Sequence, residues 1–342
     1  MGRYFGGIIK NSTDSLPNTN SKTGAASGVW TIAEAAQLHG SSKFPRGDVT
    51  DGRINTTTAW IGRGFDNNRN NHIDQKSFDS NGDATHWAYF TYSGNARARG
   101  VVTNYTIGVI GGGFYCCGAS DISTINKITF STQANAEDYG DLNGGAVSVS
   151  CHMSETKGFW NGGRRGSYYD DIEEKDITSS GNTSDWGTLG TTVYDSGAMG
   201  TPTKMIVCKI SQTSDTDTIH SVDLTSASNS VDFGDLLAQT NQAYCAGNDT
   251  EGIVRDHHNG DTRTAADKIV FATNSDAVDH GDATGDDECG VVGDDVRVMI
   301  YGGGTGGWQD RIETMTYASG GNASDYGDLT SGHDGGGGQA HN

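Results

Sequence analysis

The sequence predicts an all-β protein assembled from repeats, and three observations carry that prediction. The first is an octet, Asn135-Ala136-Glu137-Asp138-Tyr139-Gly140-Asp141-Leu142, that keeps returning. Its central aspartate recurs at Asp185, Asp232, Asp279 and Asp325, in steps of 47, 47, 47 and 46 residues. A worn first copy spans residues 83–90, with His86 in the anchor position 52 residues before Asp138. The second observation is an apolar ladder at fixed distances before each anchor. The third is an apolar run ending in glycines further upstream. A fixed period of this length marks a repeat architecture.

Within a unit, the elements follow in order. A strand ending in glycines comes first, as in Val109-Ile110-Gly111-Gly112-Gly113, Phe159-Trp160-Asn161-Gly162-Gly163 and Met299-Ile300-Tyr301-Gly302-Gly303-Gly304. Units four and five lack the glycine doublet. Next comes a strand carrying Ile73, Ile125, Ile172, Ile219, Ala266 or Ile312, thirteen residues before the anchor. Eight residues before the anchor stand Phe78, Phe130, Ile177, Leu224, Phe271 and Tyr317. β-Branched and aromatic residues suit a strand. The two positions lie an odd five apart, so they cannot share one face of a regular strand. A bulge, or burial of both faces, is expected. This element reads as the inner strand of each unit. The octet then reads as a turn, because Asn and Asp bond the backbone two residues on and Gly tolerates positive φ. The aromatic after the anchor is expected between neighbouring units. A short apolar run follows, such as Ala146-Val147-Ser148-Val149-Ser150-Cys151. Each unit thus offers three clear strands and a fourth beyond the turn.

A glycine-ended strand, a second strand, a downstream aromatic and a further strand together resemble a kelch repeat. That resemblance implies four-stranded blades of a β-propeller. Six units imply a six-bladed β-propeller over residues 52–342. In this chain the kelch Trp position varies as Tyr, Trp, Phe or His.

Residues 1–51 form a different segment, expected to be an arm with one short helix. Residues 11–27 are rich in Ser, Thr and Asn and read as a linker. Thr31-Ile32-Ala33-Glu34 fits a capping box, Ala35, Ala36 and Leu38 continue the helix, and Gly40 can end it. Phe44-Pro45 closes the arm. The order Gly28-Val29-Trp30, short helix, aromatic-Pro resembles the start of structural proteins of tailed phages, marine ones in particular. The octet array also resembles repeats of fibre-like phage proteins. Together these imply a virion protein, assembled in the host cytoplasm, that docks through Val29, Trp30, Ile32, Leu38, Phe44 and Pro45.

Composition narrows the function classes. The formal charge is −20, which opposes binding to nucleic acid or to an anionic membrane surface. No stretch approaches transmembrane length, and the Ile8-Ile9 pair is too short for a signal-peptide core. Leu, Ile, Val and Phe make up only about 16% of the chain, and with the −20 charge that value points toward disorder. The period overrides it, because stacked units share a core that none could bury alone.

Candidate chemistry is sparse. The six cysteines show no Cys-x-x-Cys spacing and read as small buried hydrophobes with free thiols. The aspartate-rich turns lack EF-hand spacing, so no metal is expected. No Gly-x-Ser-x-Gly, His-Glu-x-x-His or phosphate loop occurs, and neither a cofactor nor a catalytic residue is expected. One basic pair, Arg164-Arg165, lies beside Tyr168-Tyr169 and downstream of Trp160. These five residues are the candidates for binding a receptor or a glycan. The expected function is that of a non-enzymatic tail-fibre or tail-associated adsorption protein, present in several copies. Its partners would be other virion proteins and a host-surface glycan or protein. The alternatives are a capsid decoration or adaptor protein, and a lectin-like or sialidase-like propeller.

Overall fold

The computed structural model describes residues 58–62, 71–91, 96–97, 100–103, 106–115, 121–144, 146–154, 156–212, 214–257, 264–284, 288–304 and 307–333. The chain divides into Met1–Asn55 and Thr56–Asn342, and all the described residues lie in the second part. The expected short helix and the docking residues Val29, Trp30, Ile32, Leu38, Phe44 and Pro45 lie outside the described residues.

The described residues form a six-bladed β-propeller. Blade 1 contains β1 (Thr58–Gly62), β2 (His72–Ser77) and β3 (Thr85–Tyr89). A two-residue strand, β4 (Ala96–Arg97), precedes blade 2. Blade 2 is β5 (Gly100–Thr103), β6 (Ile107–Gly111), β8 (Thr124–Thr129) and β9 (Glu137–Asp141), while β7 (Phe114–Tyr115) pairs with β4. Blade 3 is β10 (Ser150–Met153), β11 (Lys157–Asn161), β13 (Ser167–Asp176) and β14 (Ser184–Val193). The short β12 (Arg164–Arg165) folds back on the start of β13. Blade 4 is β15 (Gly197–Thr201), β16 (Lys204–Cys208), β17 (Thr216–Asp223) and β18 (Val231–Thr240). Blade 5 is β19 (Gln242–Gly247), β20 (Glu251–His257), β21 (Ala265–Val270) and β22 (Val278–Asp282). Blade 6 is β23 (Gly290–Gly293), β24 (Arg297–Tyr301), β25 (Arg311–Thr316) and β26 (Ser324–Asp328). All pairings are antiparallel, and each blade is an up-and-down meander.

Two local expectations change. The isoleucine-bearing strand is not the inner one. Among the described strands, those that pack most closely from blade to blade are β5, β10, β15, β19 and β23, which follow the preceding octet. Four of them, β5, β10, β15 and β23, are buried almost throughout. The isoleucine strand is third in its blade, where neighbours on both faces bury Ile125, Asn126 and Ile128 alike. The octet, read as a turn, is the outer strand itself. It pairs with the third strand through a bulge in every blade. In blade 2, Ile125 faces Gly140 while Asn126 faces Asp138, so Tyr139 is the extra residue. The same shift makes Trp87, Trp186, Phe233, His280 and Tyr326 the extra residues of the other blades. A bulge re-aims its side chain, and here it turns each aromatic toward the neighbouring blade. The bulge expected from the odd spacing of five therefore exists, but it sits on the partner strand.

The core consists of six apolar clusters, each drawn from two consecutive blades. One joins Phe233 and Leu236 of blade 4 to Val254, Ile269 and Phe271 of blade 5. Another joins Ala59, Ile61 and Phe78 of blade 1 to Met299, Ile312, Tyr326 and Leu329 of blade 6, across the seam of the ring. A low apolar fraction suffices because one side chain serves two blades. Trp160 belongs to the cluster between blades 2 and 3 and is 2% exposed. A β-carbon at Gly100 would stand 2.7 Å from its ring, so that glycine makes room for the indole.

Candidate functional site

Three kinds of bond recur at the blade interfaces, and the octet makes two of them. Its second residue donates its backbone N–H to the carbonyl of the seventh residue in the preceding blade. These six bonds run from Ala136 to Tyr89, Thr183 to Asp141, Ser230 to Thr188, Ala277 to Asp235, Ala323 to Asp282 and Ala84 to Asp328, at 2.6–2.9 Å. The first residue, Asn or Asp, accepts from the N–H of that same seventh residue. Asn135, Asn182, Asn229, Asp276, Asn322 and Asp83 all do so, at 3.1–3.3 Å. The pair from Asp83 and Ala84 to Asp328 crosses the seam, so the pattern closes on itself. Aspartates at the fourth position accept the N–H of the glycine two residues on, as at Asp138, Asp279 and Asp325. That is the Asx chemistry expected of the octet.

The third bond comes from a residue that the sequence pattern left unexplained. Twelve positions before each anchor stand Asp74, Asn126, Glu173, His220, Asp267 and Glu313, and all but His220 are buried. Five of them accept a backbone N–H from the preceding blade: Thr330 to Asp74, Thr91 to Asn126, Asn143 to Glu173, Leu237 to Asp267 and Thr284 to Glu313. His220 instead bonds Ser230, which donates in turn to the Leu189 carbonyl. A polar residue beside an invariant apolar position, recurring with the period, was the available signal.

The buried acids are balanced by cations where they can be. Arg165 pairs with Glu173 and lies 3.6 Å from Asp171, and Arg311 lies 3.6 Å from Glu313. Burial raises the Asp171 carboxyl, with Arg165 opposing it. The interblade aromatics carry cations on their faces, including Lys76 over Tyr326 at 4.2 Å and Lys127 over Tyr139 at 4.6 Å. Tyr326 and Tyr139 also donate to the Phe78 and Ile177 carbonyls of the next blade. His280 does the equivalent work with its ring nitrogen 2.7 Å from the Thr316 carbonyl.

The five candidate binding residues separate in the structure. Trp160 is interior, packed between blades 2 and 3. Arg164, Arg165, Tyr168 and Tyr169 share the hairpin of β12 and β13, all half-buried. Arg165 lies 4.9 Å over the Tyr169 ring, but its charge already belongs to Glu173 and Asp171. Tyr168 meets Tyr194 edge to face at 5.4 Å. The cysteines at 151, 208, 245 and 289 are buried free thiols, as expected. Cys116 and Cys117 lie outside the described residues.

One further constellation stands in blade 1. His72 and Asp74 lie two apart on β2, and His86 faces Asp74 from β3. One ligand atom from each of the three lies within 4.8 Å of the others. The anchor substitution, histidine for aspartate at position 86, was visible in the sequence. His72, fourteen residues away, matched no ligand motif. No family model matches the chain, and no curated protein matches it.

Proposed function

We propose that the chain is a non-enzymatic structural protein of a tailed-phage virion, a tail-associated adsorption component that presents a propeller to the host surface. Its N-terminal segment docks to other virion proteins, and the ring's loops meet the receptor. The observation that carries this reading is the use made of the repeat. Its first and second positions make the same two bonds at all six interfaces, seam included, so the periodic part of the sequence builds a closed ring. A ring of this kind suits a spacer or display platform, with specificity assigned to the loops between strands. The Gly28-Val29-Trp30 arm and the −20 charge support the same reading. A sugar carboxylate would have to displace Glu173 or Asp171 from Arg165, so the half-buried Tyr168 and Tyr169 carry the hairpin's proposed contribution to a receptor site.

Deleting residues 1–50 tests the docking. The shortened chain is expected to keep the β-rich circular dichroism of the ring and to be absent from purified particles. Recovery of the shortened chain at normal copy number in purified virions overturns the proposal.

A further inference from the structure

We propose that His72, Asp74 and His86 form a site for one divalent first-row transition metal, with zinc(II) as its representative ion, and that the bound ion fastens the seam between blades 6 and 1. Two imidazoles and a carboxylate are a ligand set that suits such ions. His86 Nδ1 lies 4.0 Å from Asp74 Oδ1. That is too long for a hydrogen bond and leaves space between the groups. Ligand atoms around a tetrahedral zinc lie about 3.3 Å apart, from bond lengths of about 2.0–2.1 Å. A set spread to 4.8 Å closes by modest rotation of the two imidazoles.

The carboxylate is the fixed member. Asp74 is fully buried, and its Oδ2 accepts both the N–H and the hydroxyl of Thr330, the latter at 2.7 Å. Its Oδ1 is the oxygen that faces His86 Nδ1, and its Oδ2 holds blade 6. Ligands anchored in this way by outer partners bind metals more tightly. His86 is about one-third exposed, at 36%, which gives ions an entry path and leaves room for a water ligand. Tyr89 packs against both imidazoles, with ring centroids 4.8 Å from His72 and 4.6 Å from His86. The imidazoles themselves lie 4.6 Å apart.

The sister blades supply the second observation. The positions of His72, Asp74 and His86 are Thr124, Asn126 and Asp138 in blade 2, and Asp171, Glu173 and Asp185 in blade 3. In blade 6 they are Arg311, Glu313 and Asp325. Where the buried residue is Glu173 or Glu313, an arginine stands against it. Of the six blades, blade 1 alone has imidazoles at both positions that flank the buried polar residue. This inference does not depend on the virion proposal.

The test uses the full chain without a histidine tag, stripped with chelator and titrated with cobalt(II). One ion per chain with visible d–d absorption is expected, displaced by zinc(II). Thermal denaturation is expected to shift upward by several degrees with zinc(II) and back with chelator. The double variant His72→Thr/His86→Asp installs the residues of blade 2. It is expected to keep the far-ultraviolet spectrum and weaken binding by more than about 100-fold, the upper end for loss of an outer-shell partner. Asp74→Asn, which also copies blade 2, gives a second reading if the double variant does not fold. Absence of d–d bands at metal excess overturns the site, as does wild-type affinity in a folded variant. Binding with no thermal shift overturns the seam role.

Discussion

At Gly327, a β-carbon would overlap the carbonyl oxygen of Gly82 across the seam, and φ is +115°. The octet glycine thus answers two demands at once: a bulge conformation that side chains resist and contact with the next blade's backbone. Gly140, Gly187, Gly234 and Gly281 meet the carbonyls of Gly181, Ser228, Ser275 and Gly321 in the same way. Gly327→Ala is expected to destabilise the ring by about 2–3 kcal/mol, read from urea denaturation. Gly181→Ala is the control. Its φ is +138° with nothing within 4 Å of the added carbon, so the difference between the two reports the contact rather than the strain. The octet's glycine was legible in the sequence as a positive-φ residue. Its steric partner was not, because that atom belongs to another unit.

The third strand is where the elements carry most of the load. It is buried on both faces, yet it holds an acid at the position where the preceding blade ends. Glu173 accepts from Asn143 N–H at 3.0 Å and from the Thr183 hydroxyl at 2.6 Å, and it pairs with Arg165. Glu173→Ala would leave Arg165 without its main partner and Asn143 N–H without its acceptor. Removing one member of a largely buried pair costs about 3–5 kcal/mol, and a loss in that range is expected by denaturation. A double-mutant cycle with Arg165→Ala is expected to recover part of it, because the orphaned charge is then gone. The strand itself was readable from its isoleucines. Its place as third rather than innermost was not, since every strand between two others can be apolar on both faces. The acid one residue along looked like ordinary strand alternation.

For the whole ring, burial of weak acids sets the alkaline limit. Burial pushes the Cys151 thiol from 9.0 up to about 12, and it also raises Cys208, Tyr301 and Tyr317. Between pH 9 and 12 the folded chain holds protons that the unfolded chain releases. The stabilisation from Cys151 is therefore fully present below pH 9 and lost as pH rises through about 12. Its slope is about 1.4 kcal/mol per pH unit within that window. Urea midpoints are expected to fall between pH 9 and 10.5, and Cys151→Ala is expected to flatten the fall. A midpoint independent of pH across that interval contradicts the assignment.

The sequence by itself determined the all-β class, the six units and the octet's Asx and glycine chemistry. Those properties are local: they reside in residues a few positions apart, repeated at a constant step. Only the tertiary structure decided what the octet holds. Asn182 meets Asp141 from 41 residues away and Asp83 meets Asp328 from 245 away, distances that a period suggests but cannot orient. The same is true of His72, Asp74 and His86. They converge because an antiparallel pair with one extra residue brings β2 and β3 into that register, and the closing blade brings Thr330 to the carboxylate. A ring is closed by contacts between its ends, and such contacts exist only once the blades have been laid side by side.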